Sequence, residues 1–378
     1  MLCRLASGGG LRAPRLPARA CAGTWQQRCN ATTDPSPPPS PKPAAKGVAA
    51  LLLQTGADAV LRGVGQVVFC NSPLAGVGML AALGLGGGPA LLFGAGAGTA
   101  VATASSALCG LDASARAAGL HGYNGCLVGC AFAVFLPMAS YSLLAVALAT
   151  AAGSAVSPLL ATAIGQTTGR VPQWTLAFNG VALTSLLHAK PFFAASADAA
   201  IADNVTAVTA TVAEVVMKVT VPELLLSPLV GVSQIFVVDS SLAGALILAS
   251  VCSYSPLCAL SLFAGSTTGS LVGLALGADC TEVAHGLWGF NSALSSLAVS
   301  VFFVPSRESL ALSFGGAAAT SVAFAGLKGA LAVVGAPALT LPFCAVASAC
   351  YLLEGKAAGL SLAKEPHSPE QNAVQPKL

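Results

Sequence analysis

The sequence predicts an all-α polytopic membrane protein assembled from two homologous halves. Three observations carry that expectation. Hydrophobic residues make up 55% of the 378-residue chain and charged residues only 8%, against roughly a quarter charged in a soluble domain, so the chain cannot clothe itself in water. Apolar stretches of spanning length follow one another from about residue 47. A set of short motifs then recurs, in the same order, in the second half.

The chain begins with a basic, Pro-rich tail, residues 1–46. Arg4, Arg12, Arg15, Arg19, Arg28, Lys42 and Lys46 face a single acid, Asp34. Basic flanks tend to stay on the cytoplasmic side, and "SPPPSPKP" (36–43) reads as a polyproline-type linker. A disordered cytosolic tail is therefore expected, with the plasma membrane as the location. The rival reading is a transit peptide, Arg-rich and poor in acids, which would move the protein to an organelle membrane.

Spans are expected at about 60–83, 89–110, 119–137, 141–164 and 173–188, and again at about 224–251, 256–278, 283–304, 309–334 and 339–354. Each is close to the about 20 apolar residues that a crossing helix needs. They form a first transmembrane repeat, 47–188, and a second, 223–354, joined by a wetter extracellular segment, 189–222. Residues 355–378 are polar and are expected to be a disordered tail. An odd number of crossings per half inverts the halves and puts a site at their interface. Five crossings before Asn204-Val205-Thr206 place that sequon outside the cell, making Asn204 the expected glycosylation site. Asn30-Ala31-Thr32 falls in the cytosol by the same topology and is read as chance.

The duplication is visible motif by motif. "GVGQVVFCNSPLAG" (63–76) parallels "GVSQIFVVDSSLAG" (231–244), and Pro89 parallels Pro256. "GLHGYNGCLVG" (119–129) parallels "GLWGFNSALSS" (286–296), and "VPQWTLAFN" (171–179) parallels "APALTLPFC" (336–344). A single Gln in a span is ordinarily helix glue, but Gln66 and Gln234 hold equivalent places and point to pore lining. Phe69 shares a helix face with Gln66, and Val237 holds its place in the second half. Tyr123 and Phe290 are each followed by Asn, Asn124 and Asn291, and four residues on by Leu, Leu127 and Leu294. Thr175 and Thr340 each precede Leu-small-Phe or Leu-Pro-Phe in the last stretch of a half, where two equivalent hydroxyls can meet across a pore centre. Aromatic faces, aliphatic walls, single amides and hydroxyls, and the carbonyl ends of broken helices suit a small, flat, neutral molecule rich in N–H donors.

These motifs resemble the repeated signatures of the urea transporters, in order, from about residue 61 to 353. The resemblance implies two inverted halves, about ten transmembrane helices plus two re-entrant half-helices, and a homotrimer in the bilayer with one pore per protomer. It also implies passive, channel-like passage of urea, through a slot walled by hydrophobic side chains and carbonyl ladders. By motif position, Gln66 and Gln234 fall at the pore mouths with Val67, Phe69 and Ile235 beside them. Tyr123, Leu127, Phe290 and Leu294 match the slot walls, and Thr175 and Thr340 the middle constriction. The chain departs from the family's Asn-Asn or Asp-Asn at Asn71-Ser72 and Asp239-Ser240, which puts selectivity in doubt.

Other solutes stay open on the residues alone: ammonia, water, formamide or acetamide. An ion-coupled urea carrier would need titratable groups in the spans, and the candidates are Asp58, Asp112, Asp239, Glu282 and Glu308. An enzyme is not expected, because no nucleophile–base arrangement, phosphate loop or metal spacing is visible. "GLGGGPALLFGAGAG" (84–98) lacks the Lys-Ser/Thr of a nucleotide loop. Cys126 and Cys130, one helical turn apart, read as buried thiols rather than metal ligands, and no cofactor or nucleic-acid partner is expected.

Overall fold

A computed structural model describes residues 48–136, 143–187, 219–357 and 359–374. The basic tail, the Asn204 sequon and most of the inter-repeat segment lie outside the described residues. The first half contains α1 (Val48–Gln66), α2 (Pro73–Gly87), α3 (Pro89–Leu108), α4 (Ala113–Ala117), α5 (Tyr123–Phe135) and α6 (Leu143–Thr168), then α7 (Leu176–Leu187). The second contains α8 (Val221–Gln234), α9 (Ser241–Tyr254), α10 (Pro256–Ala275), α11 (Cys280–Ala284), α12 (Phe290–Phe302), α13 (Arg307–Ala332) and α14 (Leu341–Leu352), with a final turn α15 (Pro369–Asn372). One series of seven helices occurs twice, so the duplicated sequence gives duplicated local structure.

Among the described residues, α3, α6, α10 and α13 are long and apolar enough to cross a membrane alone, while α5, α7, α9, α12 and α14 are apolar but shorter. The continuous spans expected at 60–83 and 224–251 are each broken in two. The break is local chemistry. The Cys70 amide bonds back to the Gly65 carbonyl and the Phe69 amide to that of Gln66, and Val238 and Val237 repeat this on Ser233 and Gln234. That pattern closes a helix with a left-handed residue, usually Gly; here Phe69 (φ 58°) and Val237 (φ 61°) take the position. Three residues on, the Ser72 and Ser240 hydroxyls accept the Ala75 and Ala243 amides and cap α2 and α9. The serines that depart from the family pattern are thus helix caps. The segments Gly56–Val68 and Pro73–Gly87 meet at 73°.

The halves meet where α2 packs on α9, and within each half the long span packs on a short apolar helix, α3 on α5 and α10 on α12. Glycine permits the tightest crossings. A Cβ on Gly76 would lie 1.9 Å from the Leu61 carbonyl oxygen, and one on Gly244 1.9 Å from that of Leu229. The surface is apolar, with Phe93, Leu74, Leu225 and Leu108 exposed, while Thr99, Ser154, Ser266 and Thr320 are buried. Such an arrangement suits a lipid solvent, in which buried hydroxyls bond to helix carbonyls, as Thr99 does to Ala95 at 2.6 Å.

The disordered tail expected from residue 355 is not what residues 359–374 form. Leu362 pairs with Phe303 as an antiparallel bridge, and Leu362, Ala363 and Asn372 are buried. Polar composition misleads here because the polar groups, Asn372 and Glu370, bond to helix ends.

Gly76→Val and Gly244→Val should each abolish the folded protein, because backbone blocks the new side chain. Gly96, which has no neighbour within 4 Å of a Cβ, is the control. The check is recovery of monodisperse protein in detergent, where Gly96→Val should behave as the parent.

Candidate functional site

The repeated motifs gather around two cavities and a buried polar knot. At the first cavity the Gln66 amide donates to the Ala118 carbonyl at 2.9 Å, and at the second Gln234 donates to the His285 carbonyl at 2.9 Å. Each glutamine ties the broken helix to the turn after α4 or α11. Phe69 and Val237, held left-handed, project beside them. A β-branched residue in that region is strained by about 1–3 kcal/mol, a conformation retained only where the surroundings over-determine it.

A second pair of left-handed residues, Trp174 (φ 50°) and Leu339 (φ 45°), directly precedes Thr175 and Thr340. Their carbonyls are satisfied differently in the two halves. The Tyr123 hydroxyl donates to the Trp174 carbonyl at 2.6 Å and accepts from the Gln173 amide. Phe290 has no hydroxyl, and the Asn291 amide instead donates to the Leu339 carbonyl at 3.0 Å. Asn124 and Asn291 also accept the amides of Phe178 (3.1 Å) and Phe343 (3.2 Å), near the starts of α7 and α14. Expected as pore residues, both asparagines serve as remote caps for helix ends that have no intrahelical partner.

Thr175 and Thr340 are brought together, their hydroxyl oxygens 2.7 Å apart. Asn179 donates to the Thr340 hydroxyl at 2.8 Å and to the Thr175 carbonyl at 2.9 Å, and it accepts the Thr340 amide at 3.1 Å. Cys344, which stands where Asn179 would be in the second half, lies 3.2 Å from the Thr175 hydroxyl. All four residues are buried, and none is a carboxylate, lysine or arginine.

The two cavities differ in size. The first is a cavity of about 30 Å³, closed by edge-to-face rings: Phe69 to Trp174 (6.2 Å) and to Phe302 (5.8 Å), Trp174 to Phe302 (5.0 Å) and to Phe343 (5.6 Å). The second is about 610 Å³ and is lined by Gln234, Ile235, Val237, Phe290, Leu339 and Thr340, with Phe135 and Phe178 opposite. Each cavity therefore combines the broken-helix motif of one half with aromatics of the other. Val67, Leu127 and Leu294 are buried in the apolar core.

The charged groups lie at the rims and helix ends. Arg62 pairs with Asp58 at 2.6 Å and donates to Asn71, and Asp239 pairs with His285 at 2.5 Å. Asp112 caps α4, Glu282 takes Lys328 and the Trp288 indole, and Glu308 is exposed. Cys126 and Cys130 are buried free thiols, and no group of three His, Cys, Asp or Glu among the described residues is placed to hold a metal.

Asn179 is the residue of this knot that the motif reading passes over. Its signal is present, since it lies one turn after Thr175 on the same helix face. Trp174, Phe302 and Phe343 leave no comparable signal, because their meeting depends on the other half.

Asn291→Leu keeps the volume and strands the buried Phe343 amide and Leu339 carbonyl, a cost of about 1–3 kcal/mol per unsatisfied group. Thermal unfolding in detergent should show a lowered midpoint, and an unchanged one would remove Asn291 from this role.

The family model described as urea transporter matches residues 57–355 of the chain. Urea transporter 1 of Ovis aries is 34% identical over 332 residues, covering 84% of this chain and 82% of the relative. Urea transporter 1 of Rattus norvegicus is 33% identical over 304 residues, covering 78% and 76%. With its doubled Gln, aromatic-Asn and Thr motifs gathered about one neutral centre, the chain belongs to the urea transporter family.

Proposed function

We propose that the protein conducts urea passively, along a path joining the two mouths past Thr175 and Thr340. One observation carries the reading: a buried knot built of neutral hydroxyl, amide and thiol groups lies between two glutamine-bearing mouths. Urea is flat and uncharged, with N–H donors on its edges and a carbonyl acceptor. Hydroxyls both donate and accept, so Thr175 and Thr340 can exchange their mutual bond for bonds to urea. The ends of α1 and α8 offer C-terminal carbonyls with partial negative charge to the same N–H groups. Aromatic and aliphatic walls pack on the faces of the molecule.

The five acids that a coupled carrier would draw on are engaged or exposed outside the knot, which favours uncoupled flux. The accompanying architecture is two inverted halves of five crossings and one re-entrant half-helix each, in a homotrimer at the plasma membrane. In that topology Asn204 is extracellular and glycosylated.

In proteoliposomes, stopped-flow light scattering should show fast urea entry, unchanged by pH or sodium gradients and faster than acetamide entry. Thr340→Val keeps the shape and removes one hydroxyl, so urea flux should fall roughly two- to tenfold, the worth of one hydrogen bond. Flux dependent on an ion gradient, or indifferent to Thr340→Val, would count against this path. Expressed in a secretory host, the parent should carry a glycosidase-sensitive glycan that Asn204→Gln lacks; a parent with no glycan would overturn the topology.

A further inference from the structure

The carboxyl-terminal segment 359–374 lies beyond the residues matched by the family model, which end at 355. It nonetheless takes up the C-terminal end of α12, the helix that carries Phe302. The Ala363 amide donates to the Phe302 carbonyl at 2.8 Å, and the Val304 amide donates to Ser361 at 2.9 Å. Asn372, fully buried, donates to the Val301 carbonyl at 2.7 Å. Last-turn carbonyls of a helix have no intrahelical partner, so the segment supplies donors that α12 itself lacks. Its other anchor is Glu370, which accepts from the Ser255 hydroxyl at 2.7 Å and the Leu257 amide at 2.9 Å. An anionic side chain there also complements the positive end of α10. Burial disfavours the Glu370 carboxylate, but these hydrogen bonds outweigh it and leave its pKa below the ordinary value.

The segment thus spans from the start of α10 to the end of α12, at the residue whose ring closes the first mouth. Phe302 stands 5.0 Å from Trp174, 5.8 Å from Phe69 and 6.0 Å from Tyr351. We propose that residues 359–374 are a strap that positions Phe302 and so sets the width of the first mouth, making Glu370 and Asn372 positioning residues for solute selection. The inference rests on reading the two mouths as the ends of the urea path. Loosening the strap frees the last turn of α12, lets the Phe302 ring withdraw from Trp174 and admits a bulkier amide.

The test compares N-methylurea with urea entry in proteoliposomes for the full chain, Glu370→Ala, Asn372→Ala and a chain ending at Lys356. The ratio of N-methylurea to urea flux should rise roughly two- to thirtyfold, the usual span of coupling through a positioning contact. In a Phe302→Leu background the same changes should add nothing further, as expected when one residue acts through another. An unchanged ratio in folded variants, or an equal change with Phe302→Leu, overturns the strap. A second readout does not depend on flux. With Trp25 and Trp288 replaced by Phe, Trp174 is the sole tryptophan of the three in the chain. Its emission should shift to the red and its acrylamide quenching should rise when the strap is cut, and an unaltered spectrum overturns the strap. Absence of urea flux in the full chain would instead overturn the urea reading, and the Trp174 spectrum would still judge the strap.

Discussion

A helix broken inside lipid exposes backbone groups that no water is present to satisfy, and the rest of this structure follows from how those groups are met. The chain stops α1 and α8 partway and starts α7 and α14 late. Every one of these ends is then closed by something specific. Left-handed Phe69 and Val237 turn the chain so that the next amides reach back to Gly65 and Ser233. Ser72 and Ser240 cap the helices that follow. Asn124 and Asn291 reach across from α5 and α12 to the starts of α7 and α14. These serines and asparagines hold the broken ends in place.

Among the described residues four that are not glycine are left-handed, Phe69, Trp174, Val237 and Leu339, and they occur as two equivalent pairs. Strain of this kind persists where the surroundings impose it. Here each pair lines one of the two cavities. The backbone device is the same in both halves, so part of the difference between the two cavities lies in the side chains it carries. Phe69 and Trp174 build a ring cluster around a cavity of about 30 Å³, whereas Val237 and Leu339 leave about 610 Å³. Duplication supplied the frame, and divergence of a few side chains made its ends unequal.

The central knot shows the same divergence at closer range. Thr175 and Thr340 are equivalent and touch, but Asn179 has a thiol, Cys344, as its counterpart. One amide therefore stitches both sides: it bonds to the Thr340 hydroxyl and amide and to the Thr175 carbonyl. The first half consequently holds the hydroxyl of the second in place, and neither half completes the centre alone.

Composition alone determined that the chain lives in lipid, since 8% charged residues cannot solvate a protein of this size. Repetition of motifs determined that it has two like halves and which side chains recur in them, because those signals are local and survive in the order of residues. Tertiary structure decided what each recurring residue does. Asn124 and Asn291 accept amides at the starts of α7 and α14, and those partners lie about fifty residues away. The Thr175–Thr340 contact joins positions 165 residues apart, and the ring cluster of the first mouth mixes both halves. Polar residues after 355 read as a solvated tail until their partners, the open ends of α10 and α12, are in view. Sequence records which groups need a hydrogen bond, but only the packed chain shows which groups are close enough to supply it.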